Sequence, residues 1–383
     1  MERRHGLHST RSRQPFSEER LRLDRVSRIL VVRFSSIGDI LLTTPLLRVL
    51  AEKVPEVQID YLTKRSFSPL LHHNPRVSRI WELSEPYGLR ELWRLARLLH
   101  GNRYDLIVNV HKNLRTAWLR LYLPGRWSTY RKEILRRTLY VHLKIRSLAP
   151  RRPVRERYFD AVRPLGLHDD HGPLEYYLTE EERGWAQQEL GRRGLPPAGL
   201  WLGLAIGAGR ATKRWPVEHF AQLGHSLRKR WNAAFLIFGD RRDHRDGQYL
   251  ERELDGAAVD FTGQTDLRQT AALMSLCEAV VSNDSGLMHL ADALGKKLVA
   301  VFGGTTPELG FAPQGRHVRI VERKEVRCRP CSHIGRNRCP RGHFRCMRDV
   351  RPEDVEAAVT SLLDSGNPPE GRRHASWPSA SPA

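Results

Sequence analysis

The sequence lacks long apolar runs. No stretch of its 383 residues approaches the ~20 consecutive apolar residues that span a bilayer. The first 22 residues are polar and basic, without the apolar segment of a secretory signal. The chain is therefore expected in the cytosol or on its membrane face. Acidic residues are few beside basic ones: 43 Asp and Glu against 64 Lys and Arg, a formal charge of +21. That excess either attracts a polyanion (nucleic acid, anionic lipid, phosphorylated glycolipid) or reflects an arginine-rich genome. No aromatic-rich motif of the RRM type and no zinc-finger helix is present, which argues against nucleic acid as the partner. No solenoid-period repeat is found. Cysteine is scarce, five in all. Cys277 reads as a small core residue.

What is present is a core. Hydrophobic residues at 40% and charged residues at 28% exclude global disorder, and the length suits two domains at roughly 150 residues each. Residues 1–25 read as a disordered basic extension and 366–383, rich in Pro, Ser and Gly, as a disordered tail. Between them, short apolar runs alternate with helical segments. Residues 28–34 (RILVVRF), 57–63 and 104–111 predict buried parallel strands, with a helix over 40–53. After a polar helix near 179–193 and a Gly/Pro linker at 194–199, the pattern restarts with strands at 200–206, 234–238, 279–282 and 297–302 and helices at 217–230 and 285–294. This predicts an α/β chain with one parallel-sheet domain over 26–194, a second over 199–350, and a terminal helix over 351–365. Ligands of such sheets bind beyond the carboxyl ends of the strands.

Four segments carry candidate chemistry. The first, Ser35-Ser36-Ile37-Gly38-Asp39, follows the first strand. Gly38 permits a close backbone approach, and Asp39 either caps a helix or acts as a catalytic carboxylate. Pro45 either kinks the following helix or marks its true start. The loop is not G-x-G-x-x-G, which argues against a dehydrogenase. The second segment runs from Gly207 through Lys213 and Arg214 to Pro216. Glycines, two cations and a helix start at one strand end favour an anion over a plain basic loop. The third runs from Ser282 to His289. Asp284 or Ser285 caps a helix whose free amides can receive a diphosphate, and His289 lies one turn further along the same face. The fourth is Cys328, Cys331, Cys339 and Cys346. Its spacing is not that of a standard zinc ribbon, so structural zinc, free or redox-active thiols, and disulfides all stay open. The surrounding arginines are expected to lower the thiol pKa values.

The blocks RILVVRFSSIGDILLTTPLLRVL, ATKRWPVEHFAQL and VSNDSGLMHLADALGKKLVAVFGGTTPE resemble, in content and order, the signature blocks of glycosyltransferase family 9, the ADP-heptose:lipopolysaccharide heptosyltransferases. The third block is especially similar to the heptosyltransferase II type. The resemblance covers roughly residues 27–362. It implies a GT-B fold: two Rossmann-like domains facing a cleft, the first holding the acceptor and the second the ADP-sugar. It implies an inverting transfer that needs no metal cofactor, in agreement with the lack of a D-x-D motif. By this resemblance Asp39 is the base and Lys213 neutralises the leaving diphosphate. Ser36, Gly38, Gly207, Ser285, Gly286 and His289 bind substrate. Arg214 assists or points to solvent, and Asp284 binds sugar hydroxyls or fixes its loop. The implied partners are ADP-heptose and a lipid A–inner core acceptor, with peripheral contact to the anionic inner membrane and no nucleic acid. The basic stretches 131–137 and 151–157 are expected to face that membrane, and 130–146 reads either as an interfacial helix or as an ordinary helix packed on the sheet. Another nucleotide-sugar enzyme on the same scaffold, such as an epimerase, is the alternative activity.

Overall fold

A computed structural model describes residues 21–194 and 199–365. The expected tail at 366–383, most of the extension at 1–25 and most of the linker lie outside the described residues. Residues 21–25 are structured: Leu23–Arg25 forms a 3-10 turn, and the Leu21 N–H donates to the Pro164 carbonyl.

The first half contains β1 (Arg28–Val32), β2 (Gln58–Lys64), β3 (Arg79–Leu83), β4 (Leu106–Asn109) and β5 (Arg126–Thr129). They form one all-parallel sheet in the order β3-β2-β1-β4-β5. Its helices are α1 (Ile37–Leu41), α2 (Thr44–Lys53), α3 (Leu89–His100), α4 (Leu114–Tyr122), α5 (Ile134–Leu143), α6 (Val154–Tyr158) and α7 (Glu180–Arg192). The second half contains β6 (Leu200–Ala205), β7 (Ala233–Phe238), β8 (Ala258–Asp260), β9 (Ala279–Asn283), β10 (Lys297–Phe302) and β11 (Val318–Glu322), parallel in the order β11-β10-β9-β6-β7-β8. Its helices are α8 (Val217–Trp231), α9 (His244–Glu253), α10 (Leu267–Leu276), α11 (Gly286–Ala293), α12 (Arg345–Arg348) and α13 (Pro352–Asp364). Two parallel sheets, each covered by helices on both faces, are the expected GT-B arrangement.

The central strands are buried along their whole length, as both-face coverage demands. The expected strands are found; the edge strands β3, β5, β8 and β11 are additional. They were harder to read because their faces are half solvated or, in β8, only three residues long. The helix expected over 40–53 is two helices, and Pro45 sits in the first turn of α2 rather than kinking a longer one, because Pro at that position loses no hydrogen bond. Chain ends of this kind are punctuated by caps: Thr179 and Glu182 form a capping box at the start of α7. Helix α13 packs Val355, Val359, Leu362 and Leu363 into the second sheet's core.

The two halves touch closely. One apolar cluster runs from Leu46 and Val49 of α2 to Met288 and Leu290 of α11. Helices α1 and α11 pack against each other, and glycine is what lets them. A Cβ at Gly38 would overlap the His289 ring, and one at Gly286 would press on Ile37 at 2.9 Å.

Candidate active site

A cavity of about 990 Å³ opens between the two sheets, beyond the carboxyl ends of β1, β6, β7, β8, β9 and β10. Ser36, Gly38 and Asp39 line it from the first half; Gly207, Lys213, Asp284, Ser285, Gly286 and His289 line it from the second. Three strand-end segments thus bring these residues of the two halves, at least 168 positions apart in sequence, to one crevice.

Asp39 is the third residue of α1, after the N-cap Ser36. It is a capping group and also one partner of an ion pair with Arg33. Its Oδ2 accepts from the Ser36 N–H (3.2 Å) and the Ser36 hydroxyl (3.0 Å). Its Oδ1 accepts from Arg33 Nη2 (2.6 Å) and from the Tyr158 hydroxyl (3.0 Å). The roughly four acceptor positions of a carboxylate are therefore filled. Burial alone would push the Asp39 carboxyl up; the Arg33 charge and the hydrogen bonds from Ser36 and Tyr158 outweigh it and hold the carboxyl below the ordinary value. Arg33 is itself fixed by the carbonyls of Ser35 (2.7 Å) and Val110 (2.5 Å).

The opposite wall is built from loops. Lys213 Nζ lies 2.9 Å from Asp284 Oδ2, and the same oxygen accepts from the Thr305 hydroxyl at 2.6 Å. Asp284 thus holds its own loop, β10's following loop and Lys213 together. Ser285 occupies the N-cap of α11 without making a side-chain cap, so the first amides of that helix stay free for a ligand. Its buried hydroxyl has no partner, and neither does the buried Nδ1 of His289. Burial pulls the His289 imidazole down to about 4, against the opposing pull of Asp284 and Asp39, so the ring is neutral at pH 7.

Arg214 departs from both expectations. Its guanidinium neither joins the cavity lining nor points freely to solvent: it pairs with Asp243 at 2.6 Å and donates to the Ala208 carbonyl at 3.0 Å, bracing the glycine loop. Gly207 is needed there because a Cβ would overlap the Asp243 carboxylate.

The cysteine segment forms no metal-holding set. Among the described residues no group of three or more His, Cys, Asp or Glu side chains is placed to hold a metal, and all five cysteines are free thiols. Cys346 is turned into the second core, Cys331 donates to the Gly304 carbonyl at 3.3 Å, and Cys328 lies 3.7 Å from His343 Nε2. The expected lowering of the thiol pKa values is overturned for two of them: burial pushes Cys331 up and Cys346 up to about 12, and the neighbouring arginines do not offset it. Cys277 is a core residue, as read from sequence.

Sequence reasoning missed several lining residues: Asp240 and Arg241 after β7, Thr265 and Asp266 after β8, Thr305 and Thr306 after β10, and His333. The first and third sets sit in glycine-containing loops (GDRR and GGTT) directly after apolar runs, the same signal that exposed the other loops. Arg33 and Tyr158 were missed as well, and nothing local marks them.

The sequence profile of glycosyltransferase family 9 (heptosyltransferase) matches residues 92–339. The chain belongs to that family. It is a glycosyltransferase. It is 28% identical over 357 residues to lipooligosaccharide heptosyltransferase 2 of Haemophilus influenzae, an alignment covering 88% of this chain and 99% of that one. It is 27% identical over 352 residues to lipopolysaccharide heptosyltransferase 2 of Escherichia coli, covering 88% and 98%. The fold matches a solved family 9 glycosyltransferase from Veillonella parvula with a TM-score of 0.75 at 23% identity, over 91% of this chain and all of that one. It matches the E. coli ADP-heptose lps heptosyltransferase II with a TM-score of 0.68 at 24% identity, over 88% and 99%. Among the described residues no helix is long and apolar enough to cross a membrane.

Proposed function

We propose that this family 9 enzyme moves a heptose from ADP-heptose to the inner core of lipopolysaccharide with inversion at the anomeric carbon, at the cytoplasmic face of the inner membrane. The observation that carries the proposal is the single cavity lined by Asp39 on one wall and by Lys213, Ser285 and the α11 amides on the other. In this reading residues 26–194 take the acceptor and 199–350 the donor.

The acceptor alcohol gives its proton to an Asp39 oxygen as its own oxygen attacks the anomeric carbon. The bond from that carbon to the diphosphate oxygen breaks, and ADP leaves. Because every acceptor position on Asp39 is taken, the alcohol must displace a donor. The Ser36 hydroxyl is the one to yield, since its partner Oδ2 keeps the Ser36 N–H. A carboxylate held below its ordinary pKa takes the proton only as the alcohol oxygen becomes acidic, so proton transfer runs late in the attack. Charge developing on the diphosphate meets Lys213, whose present partner Asp284 is anchored by Thr305, and the amides of Ser285, Gly286 and Leu287. The unpartnered Ser285 hydroxyl and His289 Nδ1 are available to the same group. Asp284 acts by fixing Lys213, and Arg214 by fixing the Gly207 loop. None of these steps calls on a metal ion.

The excess positive charge is assigned to the anionic glycolipid and its membrane rather than to nucleic acid. A gel shift with RNA and DNA at two salt concentrations tests that assignment, and salt-sensitive binding overturns it. The activity itself is tested by offering ADP- and UDP-sugars with a truncated lipopolysaccharide acceptor and weighing the product. Heptose addition from ADP-heptose alone is expected. Turnover of the donor sugar without acceptor favours an epimerase, and transfer from a UDP-sugar favours another transferase.

A further inference from the structure

Three arginines of the stretches first expected to face a membrane are engaged by partners within the molecule. Arg152 pairs with Asp160 (2.9 Å), Arg155 with Asp169 (2.5 Å), and Arg136 caps the carbonyls of Ser147 and Ala149. Another surface has the opposite character. Helices α3 and α4 lie side by side on one face of the first sheet, burying Leu92, Leu95, Leu99 and Leu119 in its core. Their outward faces leave large apolar side chains in solvent: Leu89 is 71% exposed, Leu114 90%, Leu121 81%, and Trp93 and Tyr122 47% each. Such side chains protruding together from one face are not explained by folding.

The charge on the same face selects the occupant. The two helices carry five arginines (90, 94, 97, 115 and 120) and one acid, Glu91, which Arg94 already pairs at 2.6 Å. Arg97 lies over the Trp93 ring at 4.8 Å. A second copy of the chain would set like charges against one another. Exposed leucine tips and interfacial Trp and Tyr, ringed by arginine, are the makeup of a surface that rests in the headgroup layer of an anionic bilayer. The position suits it. Helices α3 and α4 begin after the carboxyl ends of β3 and β4, so Leu89 and Leu114 lie at the same end of the sheet as Asp39. We infer that the outward face of α3 and α4 docks on anionic phospholipid and holds the acceptor side of the cleft against the membrane. This rests on the proposed lipid-anchored acceptor, but its deciding readout, vesicle binding, uses no substrate.

The full chain is sedimented with vesicles of phosphatidylcholine alone and of phosphatidylcholine mixed with phosphatidylglycerol. Binding to the mixed vesicles and not to the neutral ones is expected. Arg90→Gln with Arg97→Gln weakens it about fivefold per arginine at low salt. Leu114→Gln with Leu121→Gln weakens it about tenfold, while Leu135→Gln on α5, exposed but outside this face, leaves it unchanged. Both double variants keep the parent's transfer rate to a soluble acceptor stripped of its acyl chains, which also shows that they fold. Equal binding to both vesicle types, parental binding by both double variants, or loss on Leu135→Gln instead overturns the inference. So does a parent that elutes as a dimer and becomes monomeric on Leu114→Gln with Leu121→Gln, which gives the face to a second copy. Absence of transfer activity in the parent, with vesicle binding as expected, counts against the proposed reaction and not against the docking face.

Discussion

The two walls of the cleft hold their charges by opposite means. On the first wall one carboxylate is gripped by side chains gathered from across the chain: Arg33 before its loop, Ser36 within it and Tyr158 far downstream. On the second wall most of the lining comes from loops that follow strands directly and carries glycines, Lys213, Arg241 and Ser285, with His289 added from α11. A base must be aimed and kept ionised, which takes fixed partners. In the proposed reading a diphosphate, large and charged, is met by open amides and by cations carried on the loops.

This difference sets what each substitution does. The largest effect is expected at the gripped carboxylate. Asp39→Asn lowers the transfer rate about 10²-fold or more while the chain stays folded, checked by turnover alongside circular dichroism. Asp39→Ala is a poorer probe, because it strips Arg33 of its buried partner and destabilises by about 3–5 kcal/mol. Parental turnover in Asp39→Asn would remove the base from the first wall. Lys213→Ala comes next: kcat/KM falls about 10²-fold and donor affinity falls with it, as measured by ADP titration calorimetry and steady-state kinetics. Unchanged ADP affinity would remove Lys213 from donor binding.

Gly38→Ala tests the contact between the walls. Its methyl meets the His289 ring, and overpacking of this kind costs about 1–3 kcal/mol. A fall in kcat of about tenfold is expected, and recovery in Gly38→Ala with His289→Ala would tie the loss to that contact. A double variant no better than the single would show that α1 and α11 need not abut.

The smallest effect separates the walls by pH. Tyr158→Phe removes a hydrogen bond to the charged form of Asp39, so its pKa rises. The acidic limb of kcat/KM moves to higher pH. The sign for stability is the same: the Asp39 pKa is depressed in the folded chain, so its contribution is present above the unfolded carboxyl value and is lost as pH falls through the folded one. Tyr158→Phe therefore also starts acid unfolding at higher pH. Lys213→Ala should leave the acidic limb where it is. A Tyr158→Phe profile that overlays the parent would mean that Arg33 and Ser36 alone set the carboxyl.

The same contrast explains what could be read from sequence. The buried strands β1, β6, β9 and β10 are apolar along their length, and the loops after β1, β6 and β9 carry the glycines and charges of the site, so fold and most of the second wall were legible. Arg33 sat inside a strand-like run, and Tyr158 directly after a basic stretch expected to face the membrane. Their roles exist only once Tyr158 of α6 is brought against Arg33 and Asp39, a long-range packing that no local pattern encodes. The ion pair of Arg214 was hidden for the same reason: its partner Asp243 arrives from the next strand's loop. The cysteine spacing left zinc, free thiols and disulfides open, and burial of Cys346 beside Met347 and Val350 follows the core, which spacing does not encode.

The central claim is a division of labour, with proton removal on one wall and diphosphate binding on the other. It is tested most directly by titrating ADP-heptose into Asp39→Asn and Lys213→Ala and assaying both for transfer. The account predicts that Asp39→Asn binds the donor like the parent and scarcely transfers, while Lys213→Ala loses donor affinity. Donor affinity lost in Asp39→Asn, or kept in Lys213→Ala, would contradict it.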